Sequence, residues 1–343
     1  MISHYLKNKQ KAFLTGTDNL VCYLFDKSPS RGPLFVNWDI TTKCHSKCIF
    51  CDRWKAGGTE LSTEKKLDII RKLGKSGIWL LSLCGGDPLL TKDLDVILAE
   101  IKKQGMLINI STNGHLLGNK SKLMIESGVD FVTVSIQSHS PEIHDYISGS
   151  KGLFERIEMG IKKIRRLRKN KTPRIYARIV LNKLTFPDLE DFLKYWRPKV
   201  DGVILQPISK EPKMLFKIPE NMKFSKKSRR YFNDFYRLLK LYDIENLYNK
   251  MIPNYIFEKS ELKNKVKCFA GYFFLTLDAK GNVYSCSSRK KKVGNLKNED
   301  FSQILNSRNM KNLRNSVKSG KNRCFCWHSG SMLNVYLSKV LKL

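Results

Sequence analysis

Leu34-Phe-Val-Asn-Trp-Asp-Ile40, followed by Cys44-His-Ser-Lys-Cys48-Ile-Phe-Cys51, decides how the rest of the chain is read. The first stretch reads as a strand, rich in apolar and aromatic residues. Three thiols then fall within eight residues on the loop that leaves it. So short a loop can bring all three to one metal centre. The number is informative. Structural zinc takes four ligands and closes, whereas an iron–sulfur cube held by three thiolates leaves one iron open to another ligand. If the strand begins a parallel βα series, the loop sits at the carboxyl edge of the sheet, where active sites are built. A zinc knuckle completed by His45 or a distant residue is the alternative.

The chain beyond this loop alternates between strand and helix. Strands are expected at 34–40, 78–83, 107–111, 131–136, 174–180 and 203–206. Helical spacing of apolar residues marks 63–73, 94–103, 120–127, 154–169 and 189–196, with Gly74 as the C-cap of the first. Such alternation implies βαβ units and a parallel sheet. Six strands are too few for a closed eight-unit barrel of ~250 residues. A partial six-unit barrel and a doubly wound sheet both remain open on periodicity.

Residues 211–262 break the rhythm with Pro212, Pro219 and Pro253, basic clusters and the aromatics Tyr231, Phe232, Phe235 and Tyr236. They read as a linker with one or two helices. After Cys268, 273–277 and 282–286 flank Asp278-Ala-Lys-Gly281, which suits a hairpin. A helical stretch at 300–317 leads to Cys324-Phe-Cys326.

Composition sets bounds on class and setting. The 343 residues suit two domains. An apolar share of 41% supports a sizeable core and argues against disorder. No apolar run approaches the ~18 residues of a membrane span, and stretches such as 20–25 are of strand length. The start of the chain has no secretory pattern, so nine cysteines point to a reducing, cytoplasmic setting, where clustered thiols bind metals or catalyse. The 63 Lys and Arg against 31 Asp and Glu give +32, of which +28 falls on residues 151–343. Such an excess favours anionic partners; a merely Lys-rich composition is the plainer account.

In order along the chain, the quoted residues resemble the radical S-adenosylmethionine (SAM) superfamily. Its loop is C-x3-C-x-aromatic-C, and Phe50 fills the aromatic place. Cys84-Gly85-Gly86-Asp87-Pro88 resembles the family's Gly-Gly-Glu-Pro, with a shorter carboxylate. Ser111-Thr-Asn113-Gly114 resembles its S-T-N-G turn, and Ser135-Ile-Gln137 stands where many relatives have Ser-Ile-Asp. The resemblance covers about 34–210. It implies a partial (β/α)6 TIM-like barrel in which Cys44, Cys48 and Cys51 hold a 4Fe–4S cluster. Gly85, Gly86 and Asp87 would then receive the methionine amino group, and Phe50 would lie near the adenine. Ser111, Asn113, Ser135, Gln137, Arg178 and Gln206 would supply further SAM contacts. Reductive cleavage of SAM to methionine and a 5′-deoxyadenosyl radical, which abstracts hydrogen from substrate, is the implied activity.

Cys268, Gly281, Cys286 and Gly294-Asn-Leu resemble the SPASM/twitch extension of some members. Only Cys268, Cys286, Cys324 and Cys326 remain for it, enough for one auxiliary 4Fe–4S cluster; a four-Cys zinc site is the alternative. The tight Cys324-x-Cys326 spacing leaves the last ligand open. The implied fold is α/β: an N-terminal extension (1–33), the barrel (34–210), a helical linker (211–262) and a small C-terminal α+β auxiliary-cluster domain (263–343). Cys22 and Cys84 read as packing residues, with Cys84 close enough to the glycine pair to face the cluster. His115, His139 and His144 follow strand ends and read as solvated loop residues. Peptide or protein is the first substrate class expected, then carbohydrate, lipid or cofactor precursors. An acidic electron donor such as flavodoxin or ferredoxin is the expected partner, with nucleic acid less favoured. The rival from another class is a zinc-stabilised basic RNA-binding protein without catalysis.

Overall fold

Successive side chains of a strand point to opposite faces, which gives the sheet an outer and an inner face. The computed structural model describes residues 2–208, 218–225, 228–229, 232–258, 262, 265–287, 291–319 and 329–341. In β1 (Phe35–Thr41), Val36, Trp38 and Ile40 are buried, while Asn37 and Asp39 face the concave side. The same alternation runs through β3 (Leu107–Thr112) and β5 (Arg174–Leu181), whereas β2 (Leu80–Gly85) and β4 (Phe131–Ser135) are buried on both faces along their middles and β6 (Gly202–Pro207) alternates only toward its end. All six run parallel, and their spatial order is their order in the chain. A doubly wound sheet would reverse direction at a switch point. This one does not, so the partial barrel stands.

Helices cover the outer face. They are α2 (Thr63–Lys75), α3 (Leu94–Lys103), α4 (Ser121–Glu126), α5 (Pro141–Ser148), α6 (Leu153–Leu167) and α7 (Leu189–Trp196). Ile69, Ile70 and Leu73 of α2, Ile157, Ile161 and Ile164 of α6, and Phe192 and Trp196 of α7 are buried against the strands. Their three- and four-residue spacing gives each helix one apolar stripe. Burying each such side chain stabilises the fold by ~1.5–3 kcal/mol. Gly74 does not end α2. The helix continues to Lys75, and the left-handed glycine that follows it is Gly77, at φ +78°; Gly74 is instead where the Gln104 side chain packs, 2.5 Å from where a Cβ would stand.

Residues 20–25, of strand length by composition, belong instead to a long helix, α1 (Ile2–Leu24), and the turn after it. Its Cys22 and Tyr23 pack on Phe269 and Tyr272, so tertiary contact decides their conformation. Residues 211–262 contribute, among those described, α8 (Phe235–Leu241), α9 (Leu247–Lys250) and α10 (Ile252–Phe257).

The C-terminal strands do not form a sheet of their own. β7 (Phe274–Leu277) pairs in parallel with β1, from Phe35↔Phe274 to Trp38↔Leu277. β8 (Asn282–Tyr284) and β9 (Lys292–Asn295) then extend the sheet antiparallel. The expected hairpin between β7 and β8 is held by Asp278, which accepts from the backbone N–H groups of Lys280 and Asn282, both at 2.9 Å. The helical stretch at 300–317 is two helices, α11 (Phe301–Asn306) and α12 (Arg308–Lys318). Ser307 breaks it by accepting the Met310 N–H, which caps the second helix. A last helix, α13 (Ser329–Val340), packs across β7, where Gly330 meets the Phe274 ring. No described helix is long and apolar enough to cross a membrane.

Candidate active site at the carboxyl edge of the barrel

The three-thiol loop leaves β1 at the carboxyl edge and is clamped from two sides. On one side Gly86 N–H donates to Thr41 O at 2.8 Å, and Asp87 N–H to Lys43 O at 2.7 Å. A Cβ on Gly86 would stand 2.0 Å from Lys43 O, and one on Gly85 2.3 Å from Thr41 O. Gly85 also has φ +122°, a conformation that favours glycine. On the other side Ile49 N–H donates to Ile147 O at 3.0 Å, and a Cβ on Gly149 would stand 2.4 Å from Lys47 O. Glu60 braces the start of the loop, accepting from Thr41 Oγ1 at 3.3 Å and pairing with Lys43 and the buried Lys66. Arg53 ties its end back to Asp39 on β1.

Burial pushes the Cys48 thiol up to about 12, and the neighbouring Cys51 and Cys44 push it the same way. The three thiols thus lie close enough to act on one another. Among the described residues, no three His, Cys, Asp or Glu side chains gather as one metal ion would require. Asn113 donates to Cys44 Sγ at 3.4 Å, joining the β3 turn to the loop.

Asp87 is fully buried. Its Oδ1 accepts from Thr112 Oγ1 at 2.8 Å and from Leu89 N–H at 3.2 Å. Its Oδ2 has no partner among the described residues. Burial raises the Asp87 carboxyl to about 6, against the lowering effect of both hydrogen bonds.

The upper layer of the concave face collects polar groups from neighbouring strands. Asp39 is in register with Cys84, Ser135 with Arg178, and Val180 with Gln206. Arg178 donates to Ser111 Oγ at 3.2 Å, and its Nε has no partner among the described residues. Burial holds the Arg178 guanidinium below its ordinary range, while Cys84 and Tyr248 pull it back up. The expected Ser111, Ser135, Arg178 and Gln206 therefore share one face. Asp39, Arg53, Thr112 and Tyr248 were not foreseen. Alternation along β1 could have found Asp39, two residues from Asn37; the other three answer to tertiary contacts. Cys84 is on this inner face, beside Asp39 and Arg178, rather than in the outer core.

Phe50 packs with Ile147, Ile208 and Val180 over the ends of β5 and β6. Gln137 is buried, and its side-chain oxygen accepts the Val180 N–H at 3.3 Å. His144 is not a solvated loop residue: it is fully buried on α5, and its Nδ1 accepts the Gln137 N–H at 3.0 Å. His115 lies beside His45, with ring centroids 4.7 Å apart.

The auxiliary residues are described in part. Cys268 and Cys286 share one apolar cluster with Phe269, Phe273 and Phe274. Asn334 and Ser338 of α13 accept the backbone N–H groups of Phe269 (3.0 Å) and Lys267 (2.8 Å), fixing the chain on either side of Cys268. Cys324 and Cys326 lie outside the described residues.

Residues 38–195 match the model of the radical SAM superfamily, and residues 268–328 match that of SPASM, an iron–sulfur cluster-binding domain. The chain thus carries a radical SAM domain followed by a SPASM domain. It is similar to a probable GTP 3′,8-cyclase of Methanocaldococcus jannaschii, 32% identical over 171 residues, covering 49% of this chain and 55% of the relative. It is likewise similar to an Fe-coproporphyrin III synthase of Methanosarcina barkeri, 32% identical over 146 residues, covering 41% and 36%. The chain thus spans about half the length of the curated relatives it matches. Among solved structures, Streptococcus suis SuiB bound to S-adenosylmethionine superposes with a TM-score of 0.64 at 16% identity, covering 83% of this chain and 68% of that one. The anSMEcpe enzyme with bound AdoMet and Cp18Cys peptide gives 0.62 at 16%, covering 85% and 84%.

The radical SAM domain brings a 4Fe–4S cluster and SAM, and the SPASM domain an auxiliary iron–sulfur cluster. The residues present fit the first pair. Three half-buried thiols offer three thiolates, and the orphaned Asp87 Oδ2 is an acceptor suited to an ammonium group. Arg178 Nε is, among the described residues, an unused donor on the same face.

Proposed function

We propose that this radical SAM enzyme cleaves SAM reductively and uses the product to abstract hydrogen from a peptide or protein substrate. The observation that carries this reading is the meeting, at one sheet edge, of the three-thiol loop and the orphaned Asp87 Oδ2. The cluster and SAM, when bound, would supply the chemistry: one electron to the sulfonium, cleavage of its carbon–sulfur bond, and so methionine and a 5′-deoxyadenosyl radical. Cys44, Cys48 and Cys51 would hold the cluster. The backbone clamp from Gly86 and Asp87 keeps their loop in place. Asp87 Oδ2 would accept from the methionine amino group, and Thr112 holds that carboxylate in position. Phe50, over the apolar ends of β5 and β6, would cover the adenine and exclude water. Ser111, Ser135, Arg178 and Gln206 line the face where ribose and substrate would lie, with Asn113 beside Cys44 and Gln137 bracing β5.

Cys268, Cys286, Cys324 and Cys326 would hold the auxiliary cluster, passing electrons or bracing the fold, since four protein ligands leave no open iron. Radical SAM enzymes need a reductant, and an acidic flavodoxin or ferredoxin is the proposed donor. A cytoplasmic setting belongs to the same reading, because the free thiols need a reducing compartment.

A nucleotide substrate is the second reading, favoured by relatives of 30–32% identity named probable GTP 3′,8-cyclase. Anaerobic reconstitution should give a coloured protein with about eight irons per chain. SAM and dithionite should then yield 5′-deoxyadenosine. Cys48→Ala should abolish that cleavage, whereas Cys286→Ala should retain part of it but block product. GTP consumed in place of peptide would select the second reading. A colourless protein holding zinc, with a steep salt dependence of RNA binding, would select the non-catalytic alternative.

A further inference from the structure

A cleft of about 440 Å³ opens between the second half of α6 and the end of α7. Its floor is apolar, made by Met159, Ile161 and Trp196; its rim carries Lys162, Arg165 and Lys199. Its position sets it apart from the candidate active site. Helix α6 starts beside the cluster loop, where Asp145 accepts the Phe154 N–H at 3.1 Å and Gly149 touches Lys47. It then runs toward the amino edge of the sheet, where β5 begins at Arg174. Lys162 and Arg165 lie ~15 Å along that helix from its start, at 1.5 Å per residue. The cleft therefore serves a contact separate from the one at the cluster loop.

The cleft's carboxylate is spent on Lys199, which leaves Lys162 and Arg165 outside its ion pairs. Glu158, its one carboxylate, already accepts from the Tyr195 hydroxyl at 2.6 Å and pairs with Lys199. Arg165 gives one N–H to Pro198 O at 3.1 Å. Among the described residues, neither Lys162 nor Arg165 has an ion-pair partner. The exposed Lys163 and Arg166 stand next to them on α6. Met159 is 63% exposed and Leu167, two turns further on, 41%.

We propose that this cleft docks an acidic, amphipathic peptide segment of a partner protein, apolar side chains on Met159 and carboxylates on Lys162 and Arg165. A methionine floor adapts to inserted apolar groups, and helix-in-groove docking needs such a floor with a charged rim. The aromatic rings argue against a nucleic acid. Trp196 is fully buried, with its indole N–H on Ser138 O at 3.1 Å. Lys199 Nζ sits 3.4 Å over the Tyr195 ring. Neither ring offers a free face for base stacking.

The test uses the reconstituted full chain and a fluorescent designed peptide of about five helical turns, Glu on one face and Leu on the other. Lys162→Glu/Arg165→Glu should weaken binding about tenfold or more. Lys103→Glu/Lys122→Glu, an equal charge change on exposed residues elsewhere, should leave it within about twofold. Replacing the peptide's Leu by Ser should weaken it as much as the groove variant does. Formation of 5′-deoxyadenosine should be unchanged. Equal loss in both charge variants would reduce the effect to bulk attraction and overturn the proposal. So would a Ser-substituted peptide that binds equally, or an RNA oligonucleotide that displaces the peptide. Should the double variant fail to fold, Met159→Glu on the exposed floor makes the same test.

Discussion

Thr112 donates a hydrogen bond of 2.8 Å to one oxygen of Asp87, leaving the other oxygen buried and, among the described residues, without a partner. A half-satisfied buried carboxylate is unfavourable unless something fills the gap. Asp87→Asn keeps the shape and removes the charge. It should lower SAM affinity about tenfold or more, by the strength of a charge-assisted hydrogen bond, with the iron content unchanged. Equilibrium dialysis of SAM against the reconstituted protein measures this, and an unaltered dissociation constant would separate Asp87 from SAM.

Gly86→Ala should cost the chain about half its iron. The new Cβ would lie 2.0 Å from Lys43 O, a backbone atom that cannot yield without moving the thiol loop. Gly16→Ala, with nothing within 4 Å, is the control and should load normally. Iron assay after anaerobic reconstitution reads both.

Glu60→Gln should destabilise the barrel by about 3–5 kcal/mol, because it leaves the Lys66 ammonium, 1% exposed, without its counter-charge. Urea unfolding of the apoprotein gives the figure. A change under about 1 kcal/mol would mean that Lys66 finds another partner or swings out to water.

His144 should shape stability in mild acid. Burial lowers it from 6.5 to about 4, and its Nδ1 must stay unprotonated to accept the Gln137 N–H. The unfolded chain therefore binds one proton more between those values. Stability should be full above pH 6.5, fall as pH drops toward 4, and level off below, by on the order of 3 kcal/mol. His144→Gln should flatten that limb in melting curves taken across the range. A wild-type slope that survives the change would assign it to other groups.

Much of the barrel could be read before its coordinates, because two short-range signals carry it. Alternation along 34–40 and 174–180 marks strands half turned to an apolar layer, and three thiols at fixed spacing mark the loop. Strand order is another matter. No periodicity encodes that the strands follow one another without a switch point, and only the register between neighbours decides it. Longer contacts were less visible still. Residues 20–25 are ambiguous until Tyr23 meets Phe269, far away in the chain. Gly74 reads as a stop, yet it is Gly77 that takes the left-handed conformation after α2, while Gly74 packs against Gln104 from the turn after α3. His144 reads as a loop residue until α5 folds it onto Gln137.

The parallel pairing of β1 with β7 joins residues far apart in the chain, Phe35 with Phe274. The strand that launches the thiol loop is thus an interior strand only while the C-terminal segment is present. Cut away from 263 onward, the barrel would present β1 as a bare edge, with unpaired backbone groups along a flank that includes Phe35. Such edges recruit other chains. Shortening the protein to its SAM-binding half should therefore produce aggregates rather than a smaller enzyme.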